Sequence, residues 1–480
     1  MCRRKTSAAD WYRRESGHRD LAWTESGRAL RVSVATYGYA PGAAMRPGQA
    51  TDAGRTPTWA HPPPRRGDSS DHTVAVSSRL SSASLSSPPP ARPRPRDLGV
   101  IIGSLPPGPT DSIVDVPDVR VGHRTVWRDE PSPPDGRGVA RTGVTAIVPF
   151  GAGELFGSRL PAGAAVLNGA GEAIGITTIG EWGTLETPIF LTSSMAIGRV
   201  YDGAVAALVE LDARAGLDDA LMPVVAECDD GWLNTSRHVQ VDEADVRAAL
   251  AAAVGAEAGP TDGGAIGAGT GMSCFEFKGG IGSASRLVQP IDRRASWATP
   301  ERRRESPAGP TYTVGVLALT NFGRMERLTV DGVRVGETLV AEGWPETASH
   351  AGRERGSCIV VVATDAPLLG PALERLARRA GLGLARTGSV AGHGSGDIFL
   401  AFSTGVRIPR GRPEPLWTVE LVDDEYLDPI FGAVVDATEA AVIDSLFRAD
   451  TVVGRDGHVV RGLPVDRTLE LLAAAGRVAR

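Results

Sequence analysis

Lysine is almost missing from this chain. Of its 51 basic residues only Lys5 and Lys278 are lysines, and the rest are arginine. The skew reads as genomic base composition, with no chemical meaning of its own, but it makes Lys278 conspicuous. Cysteine is scarce too. Cys2, Cys228, Cys274 and Cys358 show no C-x-x-C spacing. That pattern excludes a disulfide framework and a thiolate zinc site, and it fits a reducing cytoplasm. No uncharged apolar stretch reaches membrane-spanning length, so no span is expected. The opening Met1-Cys2-Arg3-Arg4-Lys5 resembles a signal-peptide start, but no apolar run of about 7–15 residues follows it. Neither a metal nor a cofactor is expected.

Charge is unevenly spread. Residues 1–97 hold 16 basic against 8 acidic side chains, whereas 98–480 hold 35 against 49. An acidic body of this kind is a poor phosphate binder, which argues against nucleic acid as a partner. The first 97 residues carry Pro62-Pro63-Pro64, a Ser-rich patch from Ser81 to Ser87, and Pro88-Pro89-Pro90-Ala91-Arg92-Pro93-Arg94-Pro95-Arg96. Such composition buries little and breaks regular elements, so 1–97 reads as a disordered extension or a translated upstream region.

From Leu98 the texture changes. Val144–Val148, Ala173–Ile179 and Thr313–Leu319 read as strands between glycine turns. Helices are expected at Asp242–Val254, with acids in its first turn, at Gly370–Ala380 and at Gly432–Leu446. Strand and helix runs interleave without a regular βαβ beat. That favours a layered α+β sandwich over a doubly wound sheet, in one large domain covering 98–480.

The junction Gly356-Ser357 stands out. It lies between a charged stretch, Glu342 to Arg355, and the apolar run Ser357-Cys358-Ile359-Val360-Val361-Val362, which reads as a buried strand ended by Thr364-Asp365-Ala366-Pro367. A serine opening a buried strand after a loop and a glycine suits self-cleavage. Cutting there makes Ser357 a new N-terminus whose α-amine can act as base for its own hydroxyl. An ordinary loop-to-strand boundary gives the same pattern.

Other segments add candidates. Gly394-Ser395-Gly396-Asp397 precedes the strand Ile398–Phe402, and its hydroxyl and carboxylate, two residues apart, share a face. They suit either an α-ammonium or a serine hydroxyl, or a plain polar turn. His393 beside them is an exposed loop residue unless the fold builds a triad. Asn321 ends the strand Thr313–Leu319 and is an oxyanion-donor candidate, or a turn asparagine. Glu227 ends the apolar run Val224-Val225-Ala226, with Trp232 close behind. The acid suits a substrate ammonium and the indole a pocket wall, or both belong to an acidic turn. The glycines of 263–271 and 279–282 lack G-K-[ST] order, so close backbone approach explains them better than nucleotide binding. Lys278 is equally a structural ion-pair partner or a functional cation.

Taken in order, these strings resemble peptidase family S58, the L-aminopeptidase D-Ala-esterase/amidases and β-peptidyl aminopeptidases. The resemblance starts near Leu98 and includes Gly108–Pro117, Val119–His123, Asn168-Gly169-Ala170-Gly171-Glu172, Glu181-Trp182-Gly183, Gly267–Met272, Phe277–Gly282 and Ser357–Pro367. It implies a four-layer αββα sandwich, like the N-terminal nucleophile (Ntn) hydrolases but with different strand connectivity. It implies self-cleavage into 98–356 and 357–480, with Ser357 as nucleophile and Ser395 and Asp397 as its polar partners. Asn321 would be the oxyanion donor, and Glu227 would hold the substrate amine. Two departures are visible: Asp397 stands where some relatives carry Glu, and Asp229 where some carry Tyr.

The expected activity is removal of small N-terminal residues from short peptides, amides or esters, by a homo-oligomer that is a tetramer among relatives. An acyltransferase of the ornithine-acetyltransferase type is the alternative, but those enzymes use a threonine nucleophile. An uncleaved, non-catalytic binding protein is the other.

Overall fold

A computed structural model describes residues 92–151, 157–257, 259–289, 310–344, 355–411 and 414–478. These fall within one compact unit, Ser81–Arg480. Most of the extension, 1–91, and most of the loop ahead of the junction, 345–354, lie outside the described residues.

The first sheet contains β1 (Arg120–Asp129), β2 (Val139–Val148), β4 (Ala173–Ile174), β6 (Ile189–Ser193) and β7 (Val224–Cys228). Its order is β1-β2-β6-β7-β4, with β6 and β7 parallel and the other pairs antiparallel. The second sheet contains β3 (Ser158–Gly169), β5 (Thr184–Leu185), β8 (Ile281–Val288), β9 (Tyr312–Asn321), β10 (Arg355–Thr364), β11 (Gly394–Ser403) and β12 (Ile408–Pro409). Its order is β8-β9-β10-β11-β3-β12, with β5 added against β3, and β10 and β11 run parallel.

Three apolar layers separate four structural ones. Between the sheets, Ile147, Leu191 and Ala226 face Leu317, Ile359, Val361 and Leu400. Outside the first sheet pack α2 (Ile197–Leu211) and α3 (Glu243–Val254), with Val200, Ala204, Val246 and Leu250 against Ala146, Phe190 and Val225. Outside the second pack α5 (Gly370–Arg386) and α6 (Leu427–Arg448), with Leu373, Leu376, Val434 and Ala437 against Val316, Val360 and Phe399. Shorter helices complete the set: α1 (Ile176–Trp182), α4 (Val335–Ala341) and α7 (Val465–Ala474). The architecture is αββα, as expected. It also explains the unbroken apolar run of β10, whose alternate residues enter two different cores.

Three local expectations are corrected. The strand expected over Ala173–Ile179 stops at Ile174: Gly175, at φ 94°, turns the chain into α1. The helix expected to end at Ala380 continues to Arg386, because Gly383 lets α5 lie against Thr438 and the Val435 carbonyl of α6. The stretch expected to bury nothing through Asp97 is packed from Arg92 on. Arg94 is buried, donating to Asp444 of α6 at 3.1 Å and to the Ser283 carbonyl at 2.9 Å. A Pro/Arg composition predicts exposure only where no buried acid is available, and α6 supplies one.

Candidate active site

β9, β10 and β11 lie side by side at the centre of the second sheet, and their register assembles the site. Asn321 stands opposite Ser357, and Ser357 stands beside Gly396. Ser357 is buried, and its Oγ donates to the Gly356 carbonyl oxygen at 2.8 Å. The hydroxyl therefore already lies against the peptide unit expected to be cut.

Ser395 and Asp397 pair in register with Gly356 and Cys358, the two neighbours of Ser357. Both are buried, and Ser395 Oγ donates to Asp397 Oδ1 at 2.9 Å. Strand alternation puts them on the face opposite the Ser357 side chain. Across the parallel pair they stand opposite the residues on either side of Ser357, not opposite its hydroxyl. His393 is exposed and takes no part in this arrangement.

Asn321 is fixed by two bonds. Its Oδ1 accepts from Ser273 N at 2.9 Å, and its Nδ2 donates to the Asp229 carbonyl at 2.8 Å. An amide nitrogen carries two hydrogens, so a second donor is available. Asp229, at the position where Tyr was noted in relatives, is exposed and accepts from Gly231 N at 2.9 Å. Asp230 next to it is fully buried, accepting from Ser193 Oγ at 2.7 Å and Asn234 Nδ2 at 2.9 Å; burial pushes its pKa up to about 6.

Glu227, at the end of β7, points across from the other sheet. It is 5% exposed, so its ionised form depends on donors. Oε1 accepts from Glu172 N at 2.8 Å and Oε2 from Ser194 Oγ. Burial raises its pKa, the two donors oppose the rise, and the nearby Asp229 and Glu172 charges add to it. A cavity of ≈ 640 Å³ lies beside this group, lined among others by Ser194, Asp229, Trp232, Asn321 and Gly356, with Glu227 and Ser357 just behind its wall. Trp232 stacks on His458 at 3.8 Å, which holds it as a wall.

Lys278 is neither an ion-pair partner nor a free cation. It is fully buried, and Nζ donates to the carbonyls of Gly269, Met272 and Gly279 at 3.0, 2.6 and 2.6 Å. Burial lowers its pKa to about 7. The glycine-rich segments serve close backbone approach: a Cβ on Gly280 would collide with the Gly264 carbonyl. The lysine ties this loop beneath Ser273, which holds Asn321.

Sequence reasoning missed Ser194. It is one serine in Thr192-Ser193-Ser194 at a strand end, and nothing local marks it as the donor to a carboxylate 33 residues on. Gly171 and Glu172 were visible only as part of a motif string. Among the described residues no group of acids, histidines and cysteines could hold a metal ion, and no helix is long and apolar enough to cross a membrane.

Two packed sheets between helix layers, with a buried serine near the start of a central strand, define an α+β hydrolase of the Ntn type. The model of peptidase family S58 matches residues 111–460, and the chain belongs to that family. A β-peptidyl aminopeptidase of Sphingosinicella xenopeptidilytica is 38% identical over 411 residues, covering 84% of this chain and 95% of its own. The solved L-aminopeptidase D-Ala-esterase/amidase of Ochrobactrum anthropi, described as a prototype for the serine aminopeptidases and a new variant of the Ntn hydrolase fold, superposes with a TM-score of 0.71. It is 38% identical, over 81% of this chain and all of its own. A Burkholderia sp. β-aminopeptidase superposes with a TM-score of 0.68 at 40% identity, over 80% and 99% of the two chains. The protein is thus a serine aminopeptidase/amidase of family S58, with the Ntn-hydrolase variant fold.

Proposed function

We propose that the chain cleaves itself between Gly356 and Ser357 and then releases small N-terminal residues from short peptides, amides or esters. The observation that carries this reading is the Ser357 hydroxyl, buried and 2.8 Å from the Gly356 carbonyl oxygen. In maturation Oγ attacks the Gly356 carbonyl carbon, the C–N bond breaks, and the leaving nitrogen becomes the α-amine of Ser357. Water then opens the ester, leaving a carboxylate on Gly356 and a free hydroxyl on Ser357.

The same parts serve turnover. The new amine, whose unperturbed pKa is about 7.7–8.0, takes the hydroxyl proton as Oγ attacks the substrate. Ser395 and Asp397, paired in register with the two neighbours of Ser357 and on the face away from its hydroxyl, orient the amine and not the hydroxyl. Asn321 offers its second amide hydrogen to the oxyanion. Glu227 holds the substrate ammonium, beside the cavity walled by Trp232, so a free amino terminus is required. The two groups of relatives differ in the residues they are named for, so L-α-, D- and β-amino acyl groups are all within this reading.

Three buried, free cysteines fit a reducing cytoplasm. Assembly of cleaved units into a homo-oligomer, a tetramer by resemblance, belongs to the same reading.

Intact-mass measurement of purified protein tests it. Two fragments joining at 356/357 are expected, and a single chain for Ser357→Ala. Normal cleavage in that variant sinks the proposal.

A further inference from the structure

We infer that Gly171 sets the size of the first residue this enzyme accepts, by leaving open the space between Glu227 and Ser357 where the substrate's ammonium lies against the acid and the carbon that bears it lies next to it. The inference rests on the proposed roles of Ser357 as nucleophile and Glu227 as ammonium partner.

Gly171 does not adopt a positive φ, so its backbone does not require glycine. What the position requires is the missing side chain. A methyl carbon placed on Gly171 would stand 3.1 Å from Glu227 Oε1, 3.2 Å from the Gly396 Cα and 3.9 Å from Ser357 Oγ. One point therefore lies between the acid and the nucleophile, beside the strand that carries Ser395 and Asp397. A carbon there is crowded against the carboxylate, whereas an ammonium is welcome at about 2.7–2.9 Å. From that point Ser357 Oγ is one bonded atom away from the roughly 3–3.5 Å at which a scissile carbon is attacked. The spacing suits a nitrogen, the carbon that bears it, and a carbonyl next in line.

The segment around the gap is pinned. Asn168 Nδ2 donates to the Gly392 carbonyl at 2.6 Å, Ala170 N to the Ser395 carbonyl at 3.3 Å, and Glu172 N to Glu227 at 2.8 Å. A Cβ on Gly396 would in turn meet the Gly171 Cα at 2.8 Å, so the two backbones are in close contact at this point. The loop cannot retreat to make room, and only the Glu227 carboxylate can yield, by leaving its Glu172 donor.

The test is Gly171→Ala, assayed on glycine, alanine and β-alanine p-nitroanilides and on N-acetylglycine p-nitroanilide, with intact mass to score maturation. The variant is expected to mature normally, because self-cleavage does not use the gap. Its kcat/KM for free-amine substrates should fall about tenfold or more, mainly through KM, with glycine losing least. A merely structural defect would lower all three free-amine substrates alike and reduce the cleaved fraction. If the matured variant keeps kcat/KM within about twofold on all three, or loses equally on all with KM unchanged, the inference is wrong. A wild type that cleaves the N-acetyl substrate as well as the free amine overturns both this inference and the reading beneath it. A second measurement needs no variant. On wild-type enzyme, 2-aminoisobutyryl p-nitroanilide adds a methyl to the ammonium-bearing carbon, and it should run at least about tenfold below alanine p-nitroanilide. Equal rates overturn the inference.

Discussion

Replacing Glu227 by Gln tests the ammonium site with little change of shape. Glu227 accepts from Glu172 N at 2.8 Å and from the Ser194 hydroxyl. In the variant the amide oxygen can keep the backbone donor, and the Ser194 hydroxyl can rotate to accept from the new NH2. Packing and both bonds thus survive, and only the negative charge is removed. At 5% exposure the carboxylate has little water to compete with, so the lost ion pair is a desolvated one. Truncating one partner of such a pair costs about 2–5 kcal/mol, or about 30-fold and upward in kcat/KM. Maturation should be untouched, since no ammonium takes part in it.

The assay is kcat/KM for alanine p-nitroanilide and its N-acetyl form on matured enzyme, as a function of pH. Burial raises the pKa of Glu227, and its ionised form is the competent one. Wild-type kcat/KM should therefore fall as pH drops through that raised value, and Glu227→Gln should lose this limb while keeping the one set by the Ser357 amine. Hydrolysis of the N-acetyl substrate as fast as the free amine in the wild type would refute the reasoning. So would a fully matured Glu227→Gln with unchanged kcat/KM.

Asn321→Ala should lower kcat by roughly 10²–10³, the cost of losing one oxyanion donor, and slow maturation because both reactions pass through a tetrahedral centre. Stopped assays on the matured fraction check this, and an unchanged kcat there reduces Asn321 to a strut between Ser273 and Asp229. Lys278 predicts a pH-dependent stability. Its folded pKa of about 7 lies below the unfolded value of about 10.4, so between them the unfolded chain holds more protons and stability rises with pH. Urea unfolding of the uncleaved Ser357→Ala chain between pH 7 and 9 should show that rise, and Lys278→Met should abolish it. An identical slope in the two chains would contradict the assignment.

Much of this protein was legible before folding is considered. The continuous apolar run after Gly356-Ser357 reads as a strand buried on both faces, and that located the central strand, although the strand begins two residues earlier, at Arg355. Glu227 and Asn321 were visible as polar residues ending apolar runs, and of the two Asn321 lines the cavity while Glu227 is buried beside it. The helix expected at Asp242–Val254 followed from its alanines and first-turn acids, and the one expected at Gly432–Leu446 from apolar spacing, although the latter starts five residues earlier, at Leu427. The failures were local too. Ala173–Ile179 has strand-like composition, but Gly175 turns the chain, and a glycine's φ is not written in its neighbours.

The sequence by itself determined the layered α+β class, the position of the serine-bearing central strand and the residue types available to the site. These depend on periodicity and on side-chain chemistry, which are local. Only the tertiary structure decided which residues meet. Sheet register put Ser395 and Asp397 opposite the two neighbours of Ser357, on the face away from its hydroxyl. Register within the first sheet set Ser194 and Glu172 beside Glu227, and close contact of Gly171 with Gly396 of the second sheet closed the site. Tertiary packing gave Lys278 three carbonyls in place of an acid and drew Arg94 out of an apparent tail onto Asp444 of α6. Each of these contacts satisfies or crowds a buried group. Burial is a property of the assembled layers, so no local pattern in the chain records it.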